Sequence, residues 1–361
     1  MAKLCWAALL TALLAAPSSG QGRGIEYRHL QREGPLSIHV LRVDPERAEI
    51  ELVRALNDGL GRETVSSMAR RSGARAAVNA GFFTIGGRYD GLSTGVLKIE
   101  DGFYASPSRP RGALGWTRDG QALIGRLLMS WTLQTSSGAI SLDGINRARG
   151  NSQLILYTWA YHRSTLTDPG GREWALWQGR VKALGGNDLA VPPDGYVLSA
   201  GRQAQAVELA EGDQAGVSYA FRPQGATAAL KEGEEEADQQ WASMDFIVGG
   251  AGVVLRNGRL VEDFSAEETI ETFITNKHPR TAVGFGGQGQ WVVVAVDGRQ
   301  AELSVGLTLP ELGALMKELG CRDALNLDGG GSTTFVYRGK VLNSPSDFGQ
   351  ERPVSDAIVF K

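Results

Sequence analysis

Two acidic residues in the C-terminal third of the chain each follow a short apolar run. Asp297 comes directly after residues 291–296 (WVVVAV), and Asp328 comes directly after residues 324–327 (ALNL). Apolar runs of this length that are bounded by turn residues are typical of buried strands. Each acid therefore stands at the end of a predicted strand.

The segment between the two strands decides how the acids are placed. Residues 309–319 are predicted to form a helix, because Thr308 and Glu311 have the spacing of a capping box and apolar residues recur after them at helical spacing. Strand, helix and strand form a βαβ unit with parallel strands, so Asp297 and Asp328 should emerge at one sheet edge. Their strands would be about 4.8 Å apart if adjacent, or about 10 Å with one strand between them. Retaining and inverting glycosidases separate their two carboxyl groups by about 5 to 9.5 Å.

Groups that can bind an anion accompany the second acid. Three glycines at 329–331 could present backbone N–H groups to an anion. Arg280 could hold a phosphate or carboxylate with its guanidinium fork. Two acids, an anion-binding turn and an arginine indicate a sugar phosphate as the ligand.

Short turns dominate the rest of the pattern. Asp-Gly or Asn-Gly pairs at 101–102, 119–120 and 257–258 lie between strand-like segments, as does Arg-Gly at 338–339, and such pairs favour two-residue hairpins. A short helix is predicted over residues 64–71. Many hairpins with one βαβ unit predict an α+β fold: a mixed β-sheet with a C-terminal βαβ unit and a few helices packed on the sheet.

The composition limits the classes of function. The chain has 361 residues, 42% hydrophobic and 21% charged, with a net charge of −3. This balance is ordinary for a globular protein and gives no broad basic surface for nucleic acid. We expect a single domain over residues 21–361, with an acidic exposed loop at about 231–240 (KEGEEEADQQ).

The N-terminal residues 1–20 have the pattern of a signal peptide. Lys3 precedes an apolar core at 4–16, which is too short for an ordinary membrane span, and small residues follow. We expect a secreted, periplasmic or cell-envelope protein without a membrane span after cleavage; an uncleaved anchor is the alternative. The mature chain would keep only Cys321, so no internal disulfide is expected.

Aromatic residues concentrate around residues 159–177. Trp159, Tyr161, Trp174 and Trp177 could face a sugar, but aromatic side chains are also large core residues, and we expect them in the core. His162 is expected to be a hydrogen-bonded polar side chain instead of a base.

Seven stretches of the chain occur in an order that is typical of one family: residues 78–83 (VNAGFF), 249–250 (GG), 278–284 (HPRTAVG), 296–299 (VDGR), 307–311 (LTLPE), 326–332 (NLDGGGS) and 352–354 (RPV). On these stretches the chain, from about residue 60 onward, resembles the phosphodiester glycosidase family. It implies a hydrolase that splits the bond between a sugar's anomeric carbon and a phosphodiester, leaving a free sugar and a phosphomonoester. The chain lacks the disulfides of the animal members, so the reaction type carries over better than the substrate.

The resemblance also implies the roles of single residues. Asp297 and Asp328 would serve the sugar and the water, as nucleophile or general base, and no cofactor is expected. Glu311 is left out because the capping box explains it. Residues expected to bind the substrate are Asn79, Arg280, Thr281, Arg299, Asn326, Gly329, Gly330, Gly331 and Ser332.

Other readings of the same residues remain open. A phosphodiesterase that breaks the P–O bond would more often need metal, and Asp297, Asp328 and Asn326 could hold a divalent cation. A non-catalytic polysaccharide-binding envelope protein could keep the fold without needing both acids. The sequence leaves open the sugar, its aglycone, the stereochemical course and the oligomeric state.

Overall fold

The structure, a computed structural model, describes residues 24–223, 234–287 and 289–361, so the expected signal peptide lies outside the described residues. Four α-helices are described: α1 (Val65–Arg71), α2 (Glu234–Ala242), α3 (Glu271–Thr275) and α4 (Leu309–Glu318). The described strands are β1 (Ile25–Arg32), β2 (Leu36–Val43), β3 (Ile50–Arg54), β4 (Ala76–Asn79), β5 (Leu97–Ile99), β6 (Gly102–Ala105), β7 (Arg111–Trp116), β8 (Ala122–Thr135), β9 (Gly138–Leu142), β10 (Gly144–Ile145), β11 (Leu154–Thr158), β12 (Arg172–Trp177), β13 (Arg180–Gly185), β14 (Tyr196–Ala200), β15 (Ala215–Pro223), β16 (Phe246–Gly249), β17 (Val253–Arg256), β18 (Arg259–Leu260), β19 (Arg280–Gly286), β20 (Trp291–Val296), β21 (Cys321–Asn326), β22 (Phe335–Tyr337), β23 (Lys340–Val341) and β24 (Asp356–Phe360).

These strands form four sheets. The first sheet has the order β1-β2-β20-β19-β21-β17-β18, and the second has the order β23-β22-β4-β24-β3. The third sheet has the order β15-β8-β7-β16-β5-β6, with β9 paired to β8, and the fourth has the order β10-β11-β14-β12-β13. Among the described strands, only β10 and β11 pair in parallel.

The predicted α+β class is wrong. Strands make up 44% of the structure and helices 12%, so the fold is rich in sheet instead of balanced between the two kinds of element. The sequence pattern overstated the βαβ unit because it showed no sign of β19. This strand pairs antiparallel with β20 on one side and β21 on the other, so the two outer strands run parallel without pairing.

Local predictions around this unit are confirmed. Strand β20 spans the predicted residues and is buried throughout. Helix α4 begins after Thr308, whose side chain and that of Glu311 form the predicted capping box. Helix α1 begins at residue 65, one residue after the predicted start, and Thr64 is its N-cap.

The buried apolar residues form layers between these elements. A central core joins the inner faces of the first, second and third sheets, with Trp116, Val293 and Phe360 among its members. On the outer face of the first sheet, Val294 packs with Leu312 of α4. A further core joins the third and fourth sheets. The first and second sheets are thereby held face to face, and the candidate site lies where they meet.

Several predicted turns have the required backbone. Asn257 and Gly258, between β17 and β18, have φ of 49° and 75°. Arg338 and Gly339, between β22 and β23, have the same two values. Two successive positive φ angles define the turn that joins twisted antiparallel strands most readily, so these two hairpins are confirmed.

The acidic segment differs from the prediction. Residues 234–240 of the expected loop lie in α2, while residues 231–233 lie outside the described residues. Glu, Ala and Gln are good helix formers, and Trp241 at the end of α2 is buried in the core between the third and fourth sheets. None of the described helices has both the length and the apolar character needed to cross a membrane.

Candidate active site

Asp328 lies at the junction of the first and second sheets. Its backbone N–H donates to the carbonyl of Ala80 at 2.9 Å, and its own carbonyl accepts from Nδ2 of Asn79 at 2.7 Å. Asn79 is the last residue of β4 in the second sheet, and Asp328 follows β21 of the first sheet. The end of β4 therefore fixes the backbone of Asp328. The carboxylate consequently has a defined position, although it follows the last residue of its strand.

The carboxyl group of Asp328 has an unusual environment. Its side chain is partly buried, and this burial raises its pKa to about 7 even though the Ser332 hydroxyl, the Gly329 N–H and the charge of Arg352 act in the opposite direction. The negative charge of Asp356 raises the pKa further. A carboxyl with a pKa near 7 can accept or release a proton at neutral pH, as general acid–base catalysis requires.

Two arginines approach the glycine turn beside Asp328. A Cβ added at Gly330 would lie 3.1 Å from Nη2 of Arg299, and one added at Gly331 would collide with the guanidinium of Arg352. Arg352 is held by Asp347 through two hydrogen bonds, of 2.8 Å from Nε and 3.0 Å from Nη2. Glycine at both positions therefore lets the two guanidinium groups approach the backbone without being displaced. This arrangement provides the charge that an anion would need.

His278 adjoins the same arginines. Its Nδ1 lies 3.3 Å from Nη2 of Arg299. Partial burial and the charges of Arg280 and Arg299 lower its pKa below the ordinary 6.5. The ring is consequently neutral at pH 7 and can donate or accept a hydrogen bond.

The three amides predicted to bind an anion are not all available. The Gly329 N–H donates to Oδ1 of Asp328 at 2.8 Å, and the Gly330 N–H donates to the carbonyl of Pro279 at 2.9 Å. For the Gly331 N–H, no hydrogen bond is found among the described residues. One amide and two guanidinium groups thus replace the predicted cradle of three amides.

Arg280 is buried, with 1% of its surface exposed. Its Nε donates to the carbonyl of Leu307 at 2.9 Å, and its Nη2 donates to the carbonyls of Phe273 at 2.8 Å and Asn276 at 3.2 Å. Burial, and to a smaller extent the charge of Arg299, lower its pKa to about 10. These contacts tie α3 to the start of β19, so they favour a supporting role over the predicted phosphate fork.

Several predicted binding residues lie beneath the site. Thr281 donates to Oδ1 of Asn79 at 2.8 Å, which orients the amide that holds Asp328. Asn326 donates from Nδ2 to the carbonyls of Ala251 at 2.9 Å and of the next residue at 2.8 Å. Asn79, Thr281 and Asn326 have no exposed surface. Ser332 is also buried and acts through Asp328. The structure thus gives these residues positioning contacts.

Asp297 stands in a different hydrogen-bond network. It is 1% exposed and accepts from Ser37 Oγ at 2.8 Å and the Ser344 N–H at 2.8 Å. His39 Nε2 lies 3.4 Å from the same oxygen that Ser37 contacts. No hydrogen bond or ion pair among the described residues joins Asp297 to Asp328. The two acids follow parallel strands at one sheet edge, and their carboxylates have different hydrogen-bond partners.

The first sheet explains this difference. Asp297 continues the face of Val293 and Ala295, which points into the central core, whereas Asp328 has left the sheet for the end of β4. Among the described residues, no group of three or more His, Cys, Asp and Glu side chains is close enough together to hold a metal ion.

Three residues of the site were not predicted. His278 and Arg352 lie inside stretches that carry the family resemblance, so the sequence did hold a signal for them. Asp347 lies in no such stretch, and only its contact with Arg352 identifies it. In the aromatic region, Tyr161 and Trp174 are core residues as expected, but Trp159 and Trp177 are 50% and 45% exposed.

The chain is similar to known proteins in sequence and in fold. The sequence model of the phosphodiester glycosidase family matches residues 172–361, about half of the chain. Two curated relatives are similar over shorter stretches. N-acetylglucosamine-1-phosphodiester alpha-N-acetylglucosaminidase from Bos taurus is 32% identical over 166 residues, which cover 44% of this chain and 30% of that enzyme. The SPbeta prophage-derived uncharacterized protein YomE of Bacillus subtilis (strain 168) is 39% identical over 96 residues, or 27% of this chain and 15% of that protein.

Solved structures share the fold over most of the chain. A hypothetical protein from Synechocystis superposes with a TM-score of 0.78 at 24% identity, over 93% of this chain and 61% of that one. A protein from Burkholderia pseudomallei K96243 has a TM-score of 0.75 at 28% identity, over 90% of this chain and 74% of that one.

The fold and the site define a sheet-rich protein with a protonatable acid beside a pair of arginines. With the family match, the chain belongs to the phosphodiester glycosidase family. It spans less than a third of the length of each of the two curated relatives described above.

Proposed function

We propose that the protein is a hydrolase that cleaves the glycosidic bond between a sugar's anomeric carbon and a phosphodiester. The observation that carries the proposal is Asp328, whose pKa of about 7 accompanies two arginines at a glycine turn. Family membership supports the reaction, because several relatives carry the name N-acetylglucosamine-1-phosphodiester alpha-N-acetylglucosaminidase.

The arginine pair would bind the phosphodiester. Arg299 and Arg352 bring two positive charges to the turn, and the Gly331 N–H adds one donor. A phosphate is already a good leaving group, so neutralising its charge contributes more than donating a proton to it. Asp347 would keep the Arg352 fork oriented through the reaction. The proposal thereby moves the main phosphate contact from Arg280 to Arg299 and Arg352.

Asp328 would act on the sugar side of the bond. In its ionised form it can remove a proton from the attacking water or attack the anomeric carbon itself, and both roles need the carboxylate. The neutral ring of His278 would hydrogen-bond the substrate next to the arginines. Asn79 and Thr281 would hold Asp328 in place from beneath.

Asp297 stays a predicted participant, and its contacts support a positioning role. It precedes Arg299 by two residues, and it accepts a hydrogen bond from the backbone of Ser344. Ser344 opens the segment that leads to Asp347, which in turn holds Arg352. One buried carboxylate would therefore set the positions of both arginines.

We further propose that the enzyme is exported and acts on envelope or extracellular glycans. The pattern of residues 1–20 supports export, and the structural neighbour from Burkholderia pseudomallei is described as a candidate exported protein. The glycan itself follows from the reaction type and from no contact in the site.

The proposal is tested by incubating the protein with a panel of sugar-1-phosphodiesters, with and without a chelator, and identifying the products. Free sugar plus a phosphomonoester, lost in the Asp328→Asn variant, is the expected result. Sugar-1-phosphate that disappears on chelation would instead show P–O cleavage by a metal-dependent phosphodiesterase. Glycan binding without turnover of any phosphodiester would indicate a binding protein.

A further inference from the structure

A cleft outside the candidate active site holds none of the residues assigned above. It has a volume of about 420 Å³ and is formed by three separate loops. Trp159 and Tyr104 provide its aromatic surface, with ring centroids 6.3 Å apart and planes at 69°. Asp58, Asp194 and His162 provide polar groups around that surface. We call it the Trp159 cleft.

The cleft has the chemistry of a neutral sugar site. Trp159 is 50% exposed, so its indole can pack against the apolar face of a ligand. The Asp58 and Asp194 carboxylates can accept hydrogen bonds from hydroxyl groups, and Arg163 supplies donors. Two acids against one arginine give no excess of positive charge, so the cleft is not suited to a phosphate. An aromatic face surrounded by hydroxyl-binding groups matches the apolar face and polar edge of a pyranose ring.

The polar groups keep capacity for a ligand. His162 uses Nδ1 to accept from the Ser164 N–H at 3.4 Å, which leaves Nε2. Asp58 uses one oxygen for the Gly59 N–H at 2.6 Å. Among the hydrogen bonds of the described residues, none involves Nε1 of Trp159. These are the donors and acceptors that a bound sugar would use.

The floor of the cleft is rigid and is connected to the candidate active site. A Cβ at Gly59 would overlap the carbonyl of Tyr161, so two of the loops touch through their backbones. Beneath them, buried Arg54 donates to the Gly59 carbonyl and lies 3.8 Å from Asp356. Asp356 is the residue whose charge acts on Asp328. The cleft and the acid thus share one buried ionic network.

The chain also limits the distance between the two sites. Asp58 lines the cleft, and Arg62, four residues later, is close enough for its charge to lower the pKa of Asp347. Four residues of extended chain span at most about 14 Å, so Asp58 lies within that distance of Arg62. We infer from this link and from the buried ionic network that an oligosaccharide extending from the arginine pair reaches the Trp159 cleft.

We propose that the Trp159 cleft binds a neutral sugar unit of the substrate's glycan, away from the bond that is cleaved. Glycan binding by the cleft stands on its own, whereas its contribution to catalysis rests on the proposed function. The substrate class is then a phosphodiester that carries an oligosaccharide instead of a single sugar.

Binding is tested by titrating the full chain with a panel of neutral oligosaccharides that contain no phosphate. Trp159→Ala is the test variant, and Trp177→Ala is the matched control, because Trp177 is 45% exposed and lies outside the cleft. An aromatic contact is worth about 0.5–1.5 kcal/mol, so we expect Trp159→Ala to weaken binding by about 3- to 10-fold and Trp177→Ala to leave it unchanged. Asp194→Asn, at a φ of 54° that Asn tolerates, should weaken binding without altering the fold.

Kinetics separate this proposal from the proposed function. With an oligosaccharide phosphodiester as substrate, Trp159→Ala should raise KM by about 3- to 10-fold, as it weakens binding. With a single-sugar phosphodiester it should change neither KM nor kcat. The proposed role of the cleft would be wrong if Trp159→Ala and Trp177→Ala weakened glycan binding equally. It would also be wrong if the wild type bound no neutral glycan. If the protein bound glycans through Trp159 but cleaved no phosphodiester, the proposal for the cleft would stand and the proposed hydrolase function would be wrong.

Discussion

Replacing Asp328 by Asn should stabilise the protein while it removes the activity. The variant keeps an oxygen that can accept from the Gly329 N–H, but it cannot ionise. In the folded wild type the pKa of this carboxyl is raised from an ordinary 3.8 to about 7, with burial as the largest cause. The protonated form is therefore the one that the fold favours.

The raised pKa of Asp328 determines how the free energy of unfolding changes with pH. The favourable contribution of the protonated carboxyl is complete below the unfolded pKa and is lost as the pH rises through about 7. Raising this pKa from 3.8 to about 7 corresponds to a ceiling of about 4 kcal/mol in the free energy of unfolding. Because the side chain is partly exposed to solvent, we expect about 1–2 kcal/mol for Asp328→Asn at pH 8.

Thermal melting between pH 4 and 9 measures this difference. At pH 8 the Asn variant should melt roughly 2 to 4 °C above the wild type, and the gap should close toward pH 4. Turnover should fall by about 10²- to 10⁴-fold, the usual contribution of a general base. Asp347→Asn is the control with the opposite sign, because its hydrogen bonds with Arg352 lower the pKa of Asp347. An Asp328→Asn variant that melts below the wild type at pH 8 would refute the raised pKa.

Four further predictions follow from the same contacts. The value of kcat/KM should rise with pH through about 7, because Asp328 must be ionised to act; a rate that falls over this range would make it an acid. Arg352→Lys should lower kcat/KM roughly tenfold with little change in melting temperature, because lysine cannot keep both hydrogen bonds to Asp347; unchanged phosphodiester kinetics would remove Arg352 from the site. Gly331→Ala should lower activity with little change in stability, because its Cβ would push the flexible end of Arg352 away from the turn; a fully active Ala variant would contradict that contact. Burial raises the pKa of the Cys321 thiol to about 12, so iodoacetamide at pH 8 should label it only after unfolding; rapid labelling of the native protein would show that the thiol is accessible.

The sequence could predict elements whose signals are local. The capping box at Thr308 and Glu311 lies within four residues, and it placed the start of α4 correctly. The β-branched run of β20 similarly defined its own ends. Turns such as Asn257-Gly258 depend on the φ preferences of two residues. In each case the residues that carry the signal are also those that form the structure.

Strand pairing is not local, and the fold class depends on it. Strand β20 pairs with β2, which lies more than 240 residues earlier in the chain, and with β19, which precedes it by one turn. Neither partner is visible in the βαβ pattern of residues 291–327. The same limit explains why four largely antiparallel sheets were taken for one mixed sheet with helices.

The candidate site shows a second limit, because residue type does not reveal which side chain is free. Arg280 and Arg352 are the same amino acid, and both lie in stretches that carry the family resemblance. Three carbonyls surround the guanidinium of Arg280 in the interior, whereas Arg352 is aligned by a single carboxylate at the glycine turn. The acids differ in the same way. Asp297 accepts from Ser37 of β2 and from Ser344 in the segment after β23, whereas the Asp328 carboxyl contacts a turn and solvent. What makes a residue available for chemistry is thus the set of partners that the fold leaves unfilled, and those partners come from pairings that no short motif contains.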